Sequence, residues 1–399
     1  MPTRFRPSLE AVEVRLTPAF PTSLPDGVLL IPDPAGGGLF RVVNPGDGTD
    51  LGDVTPFPGW AAGEVRAATL SLPPNFTPDL VVGAGPGGAP RVRVFDGKTG
   101  AARLDFFAYE DSFRGGVYVA AADLNQDGIP DIIAGAGEGG APRVRVFDGR
   151  DARPIADFVA YEESFRGGVR VAAGDVTGDG RAELVVGAGV GGAPRVIVFS
   201  HPVLGPGRPN ELVSFFAYDS SVRGGVSVAV GGDVILRPTL PFGRPTIIPA
   251  RVVTVPGVGG GPHVRTFNGA TGAETASFFV GDTNDRGGLT LSANSGGVGP
   301  VRIVVGFSTP TGPSLVGVAA DGDPVGWVRP TGSVRTNQVI SSVDLSGRVV
   351  NFVSGGSVAV RPDTVLRIDY KPATLDAFAA GDAVVSLVGP AGQLLGLDG

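Results

Sequence analysis

An all-β fold, a β-propeller of seven four-stranded antiparallel blades with six as the alternative count, is predicted for this 399-residue chain by three observations. A unit of 52 residues recurs along the chain. Each unit holds four short apolar runs separated by glycine, aspartate or proline clusters, and the first run of each unit is built from small residues. A fixed period of this kind marks a repeat architecture, and four evenly spaced short strands per repeat are the propeller pattern.

The period is carried by the runs DLVVGAG, DIIAGAG and ELVVGAG, which begin at Asp79, Asp131 and Glu183 and are spaced by 52 residues. GVLLIPDPAGGGLFRVV, from Gly27, keeps the same frame. The next copy begins at Arg251, 68 residues on, so 16 residues are inserted. The Pro-rich stretches HPVLGPGRPN and ILRPTLPFGRP account for them and are expected to be loops. Weaker copies at Arg302 and Arg348 bring the total to seven, making residues 27–399 one propeller domain behind a segment of residues 1–26.

In the best-formed copy the alternating runs place strands at Val117 to Ala122, Ile132 to Ala136, Arg143 to Phe147 and Ile155 to Tyr161. The first strands, with VAAA from Val119, VAAG from Val171 and VAVG from Val228, are small enough to crowd round a central channel. Phe106, Phe107, Phe158, Phe215, Phe216, Phe278 and Phe279 fall on the fourth strands, where neighbouring sheets diverge and need filling. Ala383 to Val388 is an inner strand without partners, and Val28 to Val43 supplies two strands without an inner one. The two ends are therefore expected to complete one blade and remove the open edges.

Composition narrows the function classes. Gly 65 and Pro 36 make about a quarter of the chain, but the period and the 42% apolar content assign them to turns, not to disorder. A net charge of −7 disfavours nucleic-acid binding. With no cysteine there are no disulfides and no thiolate sites. There is no apolar run of transmembrane length, and Arg4 and Arg6 are not followed by the apolar region of an ordinary signal peptide.

The strongest chemical signal is DLNQDGIPD. Side-chain oxygens of Asp123, Asn125 and Asp127 alternate towards one point, Gly128 allows the sharp turn, Ile129 offers its carbonyl and Asp131 closes the shell. Such an oxygen-rich cage suits Ca²⁺ better than Mg²⁺. The alternative is an Asx-rich turn without metal. DVTGDGRAE repeats the pattern with Asp175, Thr177, Asp179, the Arg181 carbonyl and Glu183, giving one or two Ca²⁺ sites. The matching loops Ser71 to Asp79, Gly231 to Arg251 and Ser295 to Arg302 are degenerate.

Three glycine runs, at Gly83, Gly85 and Gly88, at Gly135, Gly137 and Gly140, and at Gly187, Gly189 and Gly192, match the dinucleotide fingerprint. That motif needs a helix N-terminus after the glycines, whereas Ala-Pro and a strand follow here, so the runs are read as turns. Arg91, Arg143, Arg195 and His263 begin third strands, and Arg114, Arg166, Arg223 and Arg286 precede first strands. Both rows fall on the rim opposite the acidic loops. They are suited either to carboxylated or sulfated glycans or to structural pairing with Glu110, Asp111, Glu162, Glu163 and Asp219. His201, in a Pro-rich insertion, and His263 have no nucleophile pattern around them, so no catalytic residue is expected.

FRGG at Phe113 to Gly116, GAP at Gly140 to Pro142 and the acidic loop between them resemble the FG-GAP repeat, the integrin-type propeller unit, over residues 60–320. The resemblance implies a Ca²⁺ loop at Asp123 to Asp131. Leu9, Glu10, Glu13, Arg15, Leu16, Thr17, Pro18 and Ala19 resemble the leader of many planctomycete surface and secreted proteins. The expectation is a monomeric, non-enzymatic, Ca²⁺-stabilised surface or secreted propeller for adhesion or for glycan or protein binding. The alternative is a polysaccharide lyase or hydrolase on the same scaffold.

Overall fold

A computed structural model describes residues 29–32, 40–43, 50–57, 65–71, 78–201, 205, 207–231, 234–236, 246–248, 250–280, 284 and 286–293. Beyond these it describes the backbone of strands between 302 and 388. The leader at residues 1–26 lies outside the described residues.

Four consecutive blades carry the site. The 65–107 blade consists of strands Val65–Ser71, Pro78–Ala84, Arg91–Phe95 and Ala102–Phe107. The 117–159 blade consists of Val117–Ala122, Asp131–Ala136, Arg143–Phe147 and Pro154–Val159. The 169–216 blade consists of Val169–Gly174, Glu183–Ala188, Arg195–Phe199 and Glu211–Phe216. The 226–279 blade consists of Val226–Gly231, Arg251–Pro256, His263–Asn268 and Glu274–Phe279. All neighbouring strands in these sheets pair antiparallel in sequence order. A fifth four-stranded sheet runs from Leu289 to Pro330.

The protein is thus an all-β propeller of four-stranded antiparallel blades. First strands of successive blades lie side by side, from Val65–Ser71 through to Leu289–Ala293. Small side chains make this approach possible: Ala120, Ala172 and Ala229 are all buried there. Each blade packs its face on the next. Val144, Val146 and Phe158 meet Val169, Val171, Leu184 and Val186, and the same pattern joins Val81, Val92 and Val94 to Val117, Val119 and Ile132. Each fully buried aliphatic side chain in these layers contributes roughly 1.5–3 kcal/mol.

Three expectations are corrected. The inserted residues are not all loop, since Val234–Leu236 and Thr246–Ile248 form a hairpin and Gly205 bridges to Ala156 in the fourth strand of the preceding blade. The fourth strand ends at Val159, not Tyr161, because Ala160 turns to donate its N–H to the Pro142 carbonyl. Among the described residues, Ser386–Val388 pairs with Val365–Ile368, while Leu29–Pro32 pairs with Phe40–Val43, so the expected pairing of the two chain ends is not the one formed.

The glycine runs are explained by packing. A side chain at Gly135 would place its Cβ 2.5 Å from the Val169 carbonyl of the next blade, and one at Gly137 would place it 1.8 Å from the Gly115 carbonyl. The third strand follows directly, so no helix terminus stands over these glycines.

Candidate functional site

The two acidic loops join the first and second strands of the 117–159 and 169–216 blades, and their backbones coincide. Asp123 accepts N–H bonds from Gln126, Asp127 and Gly128 at 2.7, 3.2 and 2.8 Å. Asp175 accepts the equivalent bonds from Gly178, Asp179 and Gly180 at 2.6, 3.2 and 2.7 Å. Gly128 and Gly180 take left-handed φ values of 82° and 84°, as the sharp turn requires.

Asp131 and Glu183 close the loops from the first residue of the second strand, and each is only 1% exposed. Asp131 accepts the N–H groups of Leu124 and Asn125, and Glu183 accepts that of Val176. Burial, with the nearby charges of Asp127 and Asp123, pushes the Asp131 carboxyl up to about 7. Burial raises that of Glu183 as well, with Asp179 and Asp175 adding to it. The Asn125 amide nitrogen stands between the carboxylates of Asp127, at 3.1 Å, and Asp131, at 3.2 Å, which marks where positive charge is drawn. Arg150 binds Asp127 from the neighbouring turn, outside this point.

Charge compensation of the closing acid differs from blade to blade. In the 65–107 blade, whose loop has lost its other acids, buried Asp79 is ion-paired with Arg103. In the 226–279 blade the position is itself an arginine, Arg251, at the start of the second strand. Where the loops keep their acids, no guanidinium reaches Asp131 or Glu183 among the described residues.

On the opposite rim, Arg91 grips Asp105 with both oxygens at 2.5 and 2.6 Å, and Arg143 grips Asp157 at 2.7 and 2.6 Å and Glu110 at 2.9 Å. Arg195 donates to Ser214 at 2.8 Å and lies 3.7 Å from both Glu162 and Glu211. Arg114, Arg166 and Arg223 turn back onto carbonyls of their own loops, at Asp111, Glu163 and Ser220. Structural pairing therefore holds for both rows. The main acids are on the fourth strand, which sequence spacing alone did not pick out. Both rows share one rim, since Gly87, Gly139 and Gly191 donate their N–H to the carbonyls of Arg114, Arg166 and Arg223.

Residues 123–186, from the first acidic loop to the second strand of the following blade, match the FG-GAP-like repeat. The chain is an FG-GAP repeat β-propeller. No curated protein matches it. Among solved structures this FG-GAP propeller is similar to an exotype rhamnogalacturonan lyase, YesX, at 12% identity and a TM-score of 0.37, covering 91% of this chain and 74% of that one. It is similar also to BamB from Moraxella catarrhalis, at 10% identity and a TM-score of 0.32, covering 84% and 89%. A protein of unknown function from Bacteroides caccae gives 10% identity and a TM-score of 0.37, covering 80% and 93%. At these values the likenesses carry no argument about function.

The FG-GAP propeller holds one site residue that repeat reasoning set aside. His201 belongs to the turn after the third strand, and its Nδ1 lies 3.1 Å from Glu183 Oε1 while its Nε2 lies 3.7 Å from the Asp179 carboxylate. The signal was available in the topology. A third strand ends on the rim where the first-to-second loop sits, so the turn after Phe199 faces the loop that Glu183 closes.

Proposed function

We propose that this propeller is a non-enzymatic, Ca²⁺-stabilised module of a bacterial surface or secreted protein that binds glycan or protein ligands. The observation that carries the cation reading is the contrast in charge compensation. Buried Asp79 has Arg103, whereas buried Asp131 and Glu183, each closing a loop of several carboxylates, have no guanidinium. A buried carboxylate without compensation is costly, and a hard divalent cation among oxygen ligands supplies it. In the first site Asp123, Asn125, Asp127, the Ile129 carbonyl and Asp131 would hold the ion. In the second the set is Asp175, Thr177, Asp179, the Arg181 carbonyl and Glu183.

Ligand binding is assigned to the rim of Arg91, Arg143, Arg195, Arg114, Arg166 and Arg223. A carboxylated or sulfated glycan would compete there with Asp105 and Asp157 for bidentate guanidinium contacts.

Thermal unfolding of the full chain with EDTA and with increasing Ca²⁺, alongside Asp127→Ala and Asp179→Ala, tests the cation reading. A native-state ligand stabilises by about 2.7 kcal/mol at a hundredfold excess over its dissociation constant. A Ca²⁺-dependent rise in Tm that falls in each variant is expected; an unchanged Tm at millimolar Ca²⁺ would reduce both loops to turns. A panel of polyanionic glycans assayed for retention and for cleavage products tests the rest, with retention and no cleavage expected.

A further inference from the structure

The two acidic loops have nearly the same backbone but not the same surroundings. Beside the 117–159 loop stands Arg150, a cation that binds Asp127. Beside the 169–216 loop stands His201, a ligand. One donor atom from each of Asp179, Glu183 and His201 lies within 4.8 Å of the others. The His201 side chain is 14% exposed and that of Glu183 is 1% exposed, so both are held in place by packing. Two ligand atoms each about 2.0–2.2 Å from one zinc ion at tetrahedral angles stand roughly 3.4 Å apart. The separations of 3.1 Å to Glu183 and 3.7 Å to Asp179 lie on either side of that value.

We propose that Asp179, Glu183 and His201 form a site for a divalent transition-metal ion of the zinc class, chemically distinct from the all-oxygen loop at Asp123 to Asp131. The proposal rests on the reading of this loop as a cation site, but not on the cation being calcium. Two observations set the cluster apart from an acidic loop alone. An imidazole from a separate turn is aimed into it, and imidazole is a ligand for zinc, copper and nickel but not for Ca²⁺. The loop's own oxygen donors are also poorer for calcium than those of the first loop, since Thr177 replaces Asn125 and its hydroxyl is engaged with Glu183 at 3.3 Å.

Arg181 gives the site a distinctive signature. Its Nη1 lies 3.0 Å from His201 Nε2, on the side facing Asp179. The guanidinium holds the nitrogen that the ion needs, and Arg181 is exposed, so loading moves it outward into solvent. Removing this side chain takes away a competing positive charge, whereas removing the imidazole takes away a ligand. The two substitutions therefore shift metal affinity in opposite directions.

The experiment titrates the full chain and its His201→Gln and Arg181→Ala variants with Zn²⁺ by calorimetry, and with Co²⁺ by visible absorption. Parallel Ca²⁺ titrations are run on each, with circular dichroism to confirm folding. The expected result is a Zn²⁺ site whose affinity falls at least tenfold in His201→Gln and rises in Arg181→Ala, with the Co²⁺ band lost in His201→Gln. Ca²⁺ binding at the first loop stays the same in both variants. Zn²⁺ binding that is absent, or equal in all three proteins, overturns the proposal and leaves His201 as a hydrogen-bonding partner of Glu183. Ca²⁺ binding with no His201-dependent Zn²⁺ site would sink this inference while the calcium reading stands. The reverse result would keep this site and remove calcium.

Discussion

Arg208 donates from the inserted segment of the 169–216 blade to the carbonyl of Ala160, 3.2 Å away, a contact that the other blades make from a different place in the chain. In those blades Arg93, Arg145 and Arg265, at the centre of third strands, donate to the carbonyls of Pro56, Ala108 and Ala217. The 169–216 blade has Ile197 in that position, fully buried. Arg208 restores the bond from outside, its guanidinium over the Phe199 ring at 5.1 Å, as those of Arg93 and Arg145 lie over Phe95 and Phe147.

Replacing Arg208 with alanine is therefore expected to lower stability by about 1 kcal/mol, the typical worth of one such hydrogen bond. Adding Ile197→Arg to that variant should return part of the loss, because the repeat's own geometry then makes the bond. Urea unfolding of the parent, the single variant and the double variant measures this. A double variant no better than Arg208→Ala would mean that the two arginine positions are not equivalent.

The same contact shows what was legible in the sequence and what was not. Features repeated at one offset were legible: the first strands, the two acidic loops, and the glycines whose Cβ would strike the next blade. Contacts that break the repeat were not, because they depend on where an insertion folds. Arg208 and His201 both lie in the Pro-rich insertion, and Gly205, between them, docks on the neighbouring blade. Arg103, which neutralises Asp79, was missed for another reason: its partner is on the fourth strand of the same blade, far in sequence but near the same rim.

Gln126 occupies a left-handed backbone position, with φ 65°, that the second loop gives to Gly178, with φ 83°. A side chain there costs roughly 1–2 kcal/mol, part of which glycine gives back through its greater freedom in the unfolded chain. Gln126→Gly is expected to stabilise the chain by about 0.5 kcal/mol, and Gly178→Gln to destabilise it by about 1 kcal/mol. Denaturant midpoints at fixed Ca²⁺ check both signs. A loss of stability in Gln126→Gly would show that the Gln126 side chain contributes more than its backbone costs.

His263 takes the third-strand position that carries Arg91, Arg143 and Arg195 in the other three blades, and it makes the 226–279 blade sensitive to acid. Its ring stacks on Phe279 at 4.2 Å, and its Nε2 lies 2.8 Å from Ser277 Oγ. Burial and the Arg265 guanidinium hold its pKa below 6.5, with Glu274 opposing them. An unfolded histidine titrates near 6.5, so as pH falls through that value the unfolded chain takes up a proton first. Stability is thus lost as pH drops below about 6.5, and above about 7.5 the ring is neutral in both states and contributes no slope. His263→Arg is charged throughout and should remove this part of the acid sensitivity. Comparing the fall in Tm from about pH 7.5 to about pH 5.5 in parent and variant cancels the carboxylates common to both. A smaller fall in His263→Arg is expected, and equal falls would mean that the ring is protonated as readily in the fold as in the unfolded chain.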